Sequence, residues 1–179
     1  MERRAATGLQ AAGSRLTGYA AVWDAPAKLS GFTEYVRKGA FRRSLERGDD
    51  VLAMVDHSPT LILGRRSAGT LVVQEDDRGL AFTVELPDTT AGRDVRVSVE
   101  RGDMRGASFG FKVNGKAGER WTADGGSPVR ELLDLDLFDV TVTGIPAYPD
   151  TSVALRSMPA PGAVRLVTAR RYLEMIGAR

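Results

Sequence analysis

Two side chains in this sequence have the chemistry to transfer an acyl group together. His57 is the single histidine among 179 residues, and imidazole is the side chain whose ordinary pKa suits proton shuttling near neutral pH. Ser108 stands in the segment Arg105-Gly106-Ala107-Ser108-Phe109-Gly110-Phe111. On an extended chain Phe109, Phe111 and Val113 share one face, while Ser108 and Gly110 share the other. Nucleophilic catalysis by serine needs a hydroxyl, a base to take its proton and donors to hold the oxyanion. Small neighbours leave room for a substrate backbone, and N–H groups near Gly106 or Gly110 would serve the oxyanion. Each residue also has an ordinary structural reading. His57 reads equally as a surface-loop histidine, and Ser108 as a serine in an aromatic-rich strand whose glycines ease a bend. The segment is not the Gly-x-Ser-x-Gly elbow of the α/β-hydrolases.

A third partner should orient the imidazole and stabilise its charged form. Asp139 is the best candidate, in Leu137-Phe138-Asp139-Val140-Thr141-Val142-Thr143, a run of strand formers. By parity it shares a face with Leu133, Leu135 and Leu137, and a carboxylate on an apolar face needs a hydrogen-bonded partner such as His57. The adjacent apolar pair Leu137-Phe138 marks a place where a bulge would flip the phase. Asp134 and Asp136 have the opposite parity and are expected in solvent. Asp56 is beside His57, but neighbours on an extended chain point apart.

Composition narrows the alternatives. The chain has no cysteine, which excludes disulfides, thiolate nucleophiles and Cys-ligated zinc. One histidine excludes a site with several imidazoles, and no carboxylate spacing suggests a metal, so neither metal nor cofactor is expected. Lys+Arg number 25 and Asp+Glu 23, a net charge of +2. The basic residues are scattered, which argues against nucleic acid. No apolar run approaches the roughly 20 residues that span a bilayer, and Met1-Glu2-Arg3-Arg4 lacks a secretory signal's apolar stretch. These features predict a soluble, intracellular protein without a membrane partner.

The elements that must hold the candidates are mostly strands. Leu80 to Leu86 alternates apolar and polar residues, and with Thr70 to Gln74 it predicts a hairpin. Further strands are expected at Leu16 to Trp23, Val51 to Val55, Ser108 to Val113, and in one long run from Val129 to Thr143. His57-Ser58-Pro59 reads as a loop, and residues 114–128 as a mobile hairpin loop or inserted turn. Ala40 to Arg47 is a short helix stopped by Gly48, and Ala163 to Ile176 has helical spacing. In Thr90 to Gly102, the alternation of Val95, Val97 and Val99 favours a strand, although Thr90 would cap a helix and Gly102 close one. Short strands separated by turns predict a mainly β fold with a few helices, a barrel or a sandwich. Ser157 to Gly162 is Pro-, Ala- and Gly-rich and reads as a linker.

Taken in order, these segments resemble the HK97-type phage prohead (capsid maturation) serine proteases, which share the herpesvirus-assemblin-like fold. The resemblance covers roughly residues 15–155. It rests on Gly18-Tyr19-Ala20-Ala21-Val22-Trp23, on Phe32-Thr33-Glu34 followed by Gly39-Ala40-Phe41, and on Asp56-His57 with Leu63-Gly64-Arg65. It continues through Gly69-Thr70-Leu71 with Asp77-Arg78-Gly79-Leu80, then Ser108-Phe109-Gly110-Phe111, then Asp139-Val140-Thr141-Val142-Thr143 with Pro146-Ala147-Tyr148. The resemblance implies a closed or partly closed β-barrel of the assemblin type and a helix over Thr90 to Gly102. It implies a protease domain at 1–156, with 157–179 as linker and C-terminal helical tail, of which Pro159 to Arg179 is a docking tail or self-cleavage region. It implies a serine endopeptidase with His57, Ser108 and Asp139 as catalytic residues, although the family more often has Glu at the third position. Gly106, Gly110, Arg65 and Arg66 are the residues named for the oxyanion and substrate. The implied substrates are scaffold, the scaffold-like segment of the major capsid protein, and the protease itself, inside procapsids assembling in the host cytoplasm. Phage, prophage and gene-transfer agent all stay open as sources, as does a homodimer. The alternatives are a non-catalytic capsid-assembly or scaffold-binding module on the same fold, and an esterase using the same pair.

Overall fold

The computed structural model of the chain describes residues 2–7, 10–12 and 14–144. In chain order the elements are β1 (Glu2–Thr7), β2 (Gln10–Ala12), β3 (Arg15–Val22), β4 (Ala27–Leu29), β5 (Phe32–Val36), α1 (Arg42–Glu46), β6 (Leu52–Val55), β7 (Ser58–Arg65), β8 (Leu71–Glu75), β9 (Gly79–Glu85), α2 (Thr90–Glu100), β10 (Gly106–Val113), β11 (Glu119–Asp124), β12 (Ser127–Leu132) and β13 (Leu135–Thr143). They form three sheets, ordered β1-β10-β13-β6-β7, β11-β12-β5-β4 and β2-β3-β9-β8. Neighbours run antiparallel except β5 with β12 and β6 with β13, which are parallel.

The mainly β character is as expected, but the closed barrel is not. Each sheet keeps two edge strands, β1 and β7 in the first, and closure would require those edges to pair. The sheets instead meet through one apolar cluster. Phe109, Phe111, Leu137, Val140 and Val142 enter it from the first sheet, and Leu16, Leu71, Leu80, Phe82 and Val84 from the third. Phe41, wholly buried, sets its ring edge-on to Phe109 with centroids 5.3 Å apart, and Phe109 lies 5.2 Å from Phe111. The Gly39-Ala40-Phe41 segment thus braces the strand that carries Ser108.

Several local expectations change. The run from Val129 to Thr143 is two strands, because the Leu133 and Asp134 amides turn aside to the Gly118 carbonyl at 2.8 and 3.1 Å. Residues 114–128 contribute the β11–β12 hairpin, turned at Gly125-Gly126, both at positive φ. β11 is almost wholly exposed, so no apolar alternation announced it. Thr90 to Glu100 is helical, as the resemblance implied and the alternation did not. Val95 is buried and Val99 partly so, four residues apart on one helical face, while Val97 is exposed. The cap is Thr89, whose hydroxyl accepts from Gly92 N–H at 3.2 Å. α1 ends before Gly48, whose φ of +82° only glycine adopts freely. β1 and β2 precede the first expected strand. Pro146-Ala147-Tyr148, the linker, the Ala163 to Ile176 helix and the whole 157–179 tail lie outside the described residues.

Candidate active site

His57 is presented by a tight hairpin. Val55 pairs with Ser58, leaving Asp56 and His57 as its two turn residues, at φ +47° and +56°. Two consecutive positive φ values match the hairpin twist of a type I′ turn, and Asp and His tolerate this region better than most non-glycine residues. The expected loop after His57 is therefore strand from Ser58 onward. The turn directs Asp56 to solvent and fixes its N–H on the Val142 carbonyl at 3.0 Å.

Asp139 reaches the same place through a bulge. β10 and β13 pair Phe111 with Leu137 but Gly110 with Asp139, so the register shifts by one residue at Phe138. Before the bulge Leu135 and Leu137 point into the core; after it Val140 and Val142 do. The phase flips where Leu137 and Phe138 adjoin, and Asp139 leaves the face of the leucines. It now shares a face with Thr141 and Thr143, which lie opposite Ser108 and Gly106.

The three candidates meet in one hydrogen-bonded chain. Asp139 Oδ1 lies 2.6 Å from His57 Nδ1, and His57 Nε2 lies 2.9 Å from Ser108 Oγ. The carboxylate can only accept, so Nδ1 carries the proton that faces it. Nε2 is then the acceptor for the Ser108 hydroxyl, the tautomer a general base requires. The chain is nearly enclosed: Ser108 is 4% exposed, and the His57 side chain 9%. Bulk water screens these charges little, but the hydroxyl is not displayed in an open groove. Asp139 Oδ2 is buried and has no hydrogen-bond partner among the described residues.

The other named residues stand apart from this chain or serve it differently. Arg65 pairs with Leu52 at the end of β7 remote from the His57 turn, and its guanidinium binds Asp50 at 2.8 Å. Arg66 donates to the carbonyls of Asp49 and Leu45 at 3.1 and 2.9 Å. Neither arginine is brought to Ser108. Gly106 and Gly110 flank it on its own face, but β10 has a hydrogen-bonded neighbour on each side. As glycines they set no side chain of their own beside Ser108 on that face. Asp134 and Asp136 are engaged by Arg43 at 2.9 and 2.5 Å. Thr141 was not singled out from the sequence. Its buried hydroxyl accepts from His57 N–H at 2.9 Å and donates to the Met54 carbonyl at 2.8 Å. Its position two residues beyond Asp139, on the same face, was the available signal.

No helix among the described residues is long and apolar enough to cross a membrane. No match is found among curated proteins or solved structures. A family model described as Caudovirus prohead serine protease matches residues 1–161. That match spans most of the chain and all the residues of the hydrogen-bonded chain, and the protein belongs to the caudovirus prohead serine protease family.

Proposed function

We propose that this protein is an active serine endopeptidase of capsid maturation, with Ser108 as nucleophile, His57 as general base and Asp139 as the group that orients the imidazole. The observation that carries the reading is the unbroken sequence of contacts from Asp139 through His57 to Ser108, 2.6 and then 2.9 Å long. Both distances fall in hydrogen-bond range without any substrate to tighten them.

In this reading Ser108 Oγ attacks the scissile carbonyl carbon while its proton passes to His57 Nε2. The imidazolium is stabilised by Asp139 and returns the proton to the leaving amine as the C–N bond breaks. Water then repeats the sequence in reverse roles and frees Oγ from the acyl group. Gly106 and Gly110 give the substrate backbone room on the Ser108 face. Because Ser108 is only 4% exposed, an extended chain must displace part of its cover before Oγ meets a carbonyl. The substrates, by family membership, are scaffold or the scaffold-like segment of the major capsid protein inside the assembling procapsid, and the protease itself.

Co-expression with the capsid precursor, followed by mass spectrometry of the products, tests this. Cleavage should occur with the natural chain and cease with Ser108→Ala at unchanged fold. Substantial cleavage by the folded alanine variant would refute the assignment.

A further inference from the structure

We propose that Thr141 is a positioning residue for His57, a role that rests on the catalytic reading above. The imidazole can meet Asp139 and Ser108 together only if the His57 backbone stays where the turn places it. That backbone is the weak point, because both turn residues are non-glycine and left-handed, at φ +47° and +56°. A more extended His57 would swing Cβ and the ring away from both partners. Within the turn, the His57 N–H is held by the Thr141 hydroxyl at 2.9 Å.

Thr141 is suited to this by its place in the sheet. β13 lies between β10 and β6, and Thr141 is the partner of Ser108 on one side and of Met54 on the other. One side chain is thereby referenced both to the nucleophile strand and to the strand that leads into the turn. Its hydroxyl proton goes to the Met54 carbonyl at 2.8 Å, which leaves an oxygen lone pair directed at His57 N–H. The hydroxyl is therefore oriented before it accepts. It ties Met54, two residues before the turn, to the residue that carries the base, and Thr141 touches neither the proton in flight nor the substrate.

The test uses the full chain with Thr141→Val, which keeps the shape and removes the hydroxyl, and Thr141→Ser, which keeps the hydroxyl. The single histidine makes imidazole NMR unambiguous, and the Nδ1–H signal reports the contact with Asp139 whether or not a substrate is known. The valine variant should lose or broaden that signal, and the serine variant should retain it. On the capsid precursor, Thr141→Val should lower kcat about 10- to 100-fold per folded molecule with KM within about two-fold, as misplacement of a catalytic group by about 1 Å would. Thr141→Ser should stay within about three-fold of the natural chain. Should the valine variant not fold, Thr141→Cys, with its weakly hydrogen-bonding thiol, is read in its place. A wild-type Nδ1–H signal and wild-type kcat in the hydroxyl-free variant would overturn the proposal. If instead Ser108→Ala still cleaves, the catalytic reading fails, while the imidazole signal still decides whether Thr141 holds His57.

Discussion

Asp139 stands opposite Gly110 in the β10–β13 ladder, at the first paired position after the bulge at Phe138. A side chain at position 110 would face the carboxylate at roughly 5 Å between Cβ atoms; glycine places none there. Asp139→Asn keeps the volume but presents an amide that can donate to Nδ1 and so favours the wrong tautomer. It should lower kcat by about 10²- to 10⁴-fold. Asp139→Glu keeps the charge and meets no side chain at position 110. It should retain clearly more activity than the asparagine variant. Turnover of the capsid precursor by the two purified variants decides this, and equal losses would mean that charge is not what position 139 supplies.

Ser108 and His57 should behave as one unit. In the proposed mechanism, once Oγ is gone, His57 Nε2, 2.9 Å away, has no proton to take. Ser108→Ala and His57→Ala should each remove nearly all cleavage, and the double variant should be no slower than either alone. Losses that multiply in the double variant would show the two residues acting independently.

The contrast between His57 and Thr141 shows what the sequence could carry. A unique imidazole, a serine between glycines and an aspartate in a strand are visible as residue types, and their order matched a family pattern. The core strands were readable because Leu80 to Leu86 alternates, and Leu80, Phe82, Val84 and Leu86 are indeed buried. The phase of Asp139 could only be stated conditionally, because a bulge is a property of the paired strands and β10 is remote in sequence. The left-handed turn at Asp56-His57 carries no glycine to signal it. Thr141 acts through a backbone amide 84 residues away, a contact that exists only once β6 and β13 are side by side. Barrel closure likewise depends on where edges lie after the sheets pack.

Phe41 should matter to stability more than its place beside a short helix suggests. Its ring is wholly buried and touches Trp23 and Phe109, with centroids 6.2 and 5.3 Å away. Phe41→Ala removes a full aromatic side chain beneath the strand that carries Ser108 and should cost about 3–5 kcal/mol. For a chain of this size that lowers Tm by roughly 10 °C. Thermal unfolding by circular dichroism measures it, and a shift of a degree or two would mean that the cavity collapses.

Glu131 should govern part of the acid limb of stability. It is buried on β12, and its carboxylate accepts from Arg37 Nε at 2.8 Å and from Arg120 Nε. These two guanidinium groups, Arg120 first, lower its pKa from 4.5 to about 2. A carboxyl depressed on folding binds its proton more readily in the unfolded chain. Its contribution is therefore complete above about pH 5 and is lost as pH falls through 4.5 towards 2. The ceiling for such a shift is about 3 kcal/mol, and the real figure should be smaller because Arg37 and Arg120 face solvent and are screened. Urea unfolding of the natural chain and of Glu131→Gln, taken from pH 7 down to pH 2.5, should show a gap in stability that narrows steadily below pH 5. A gap that stays constant over that range would mean that the buried side chain acts through packing and hydrogen bonding alone, with its charge contributing nothing.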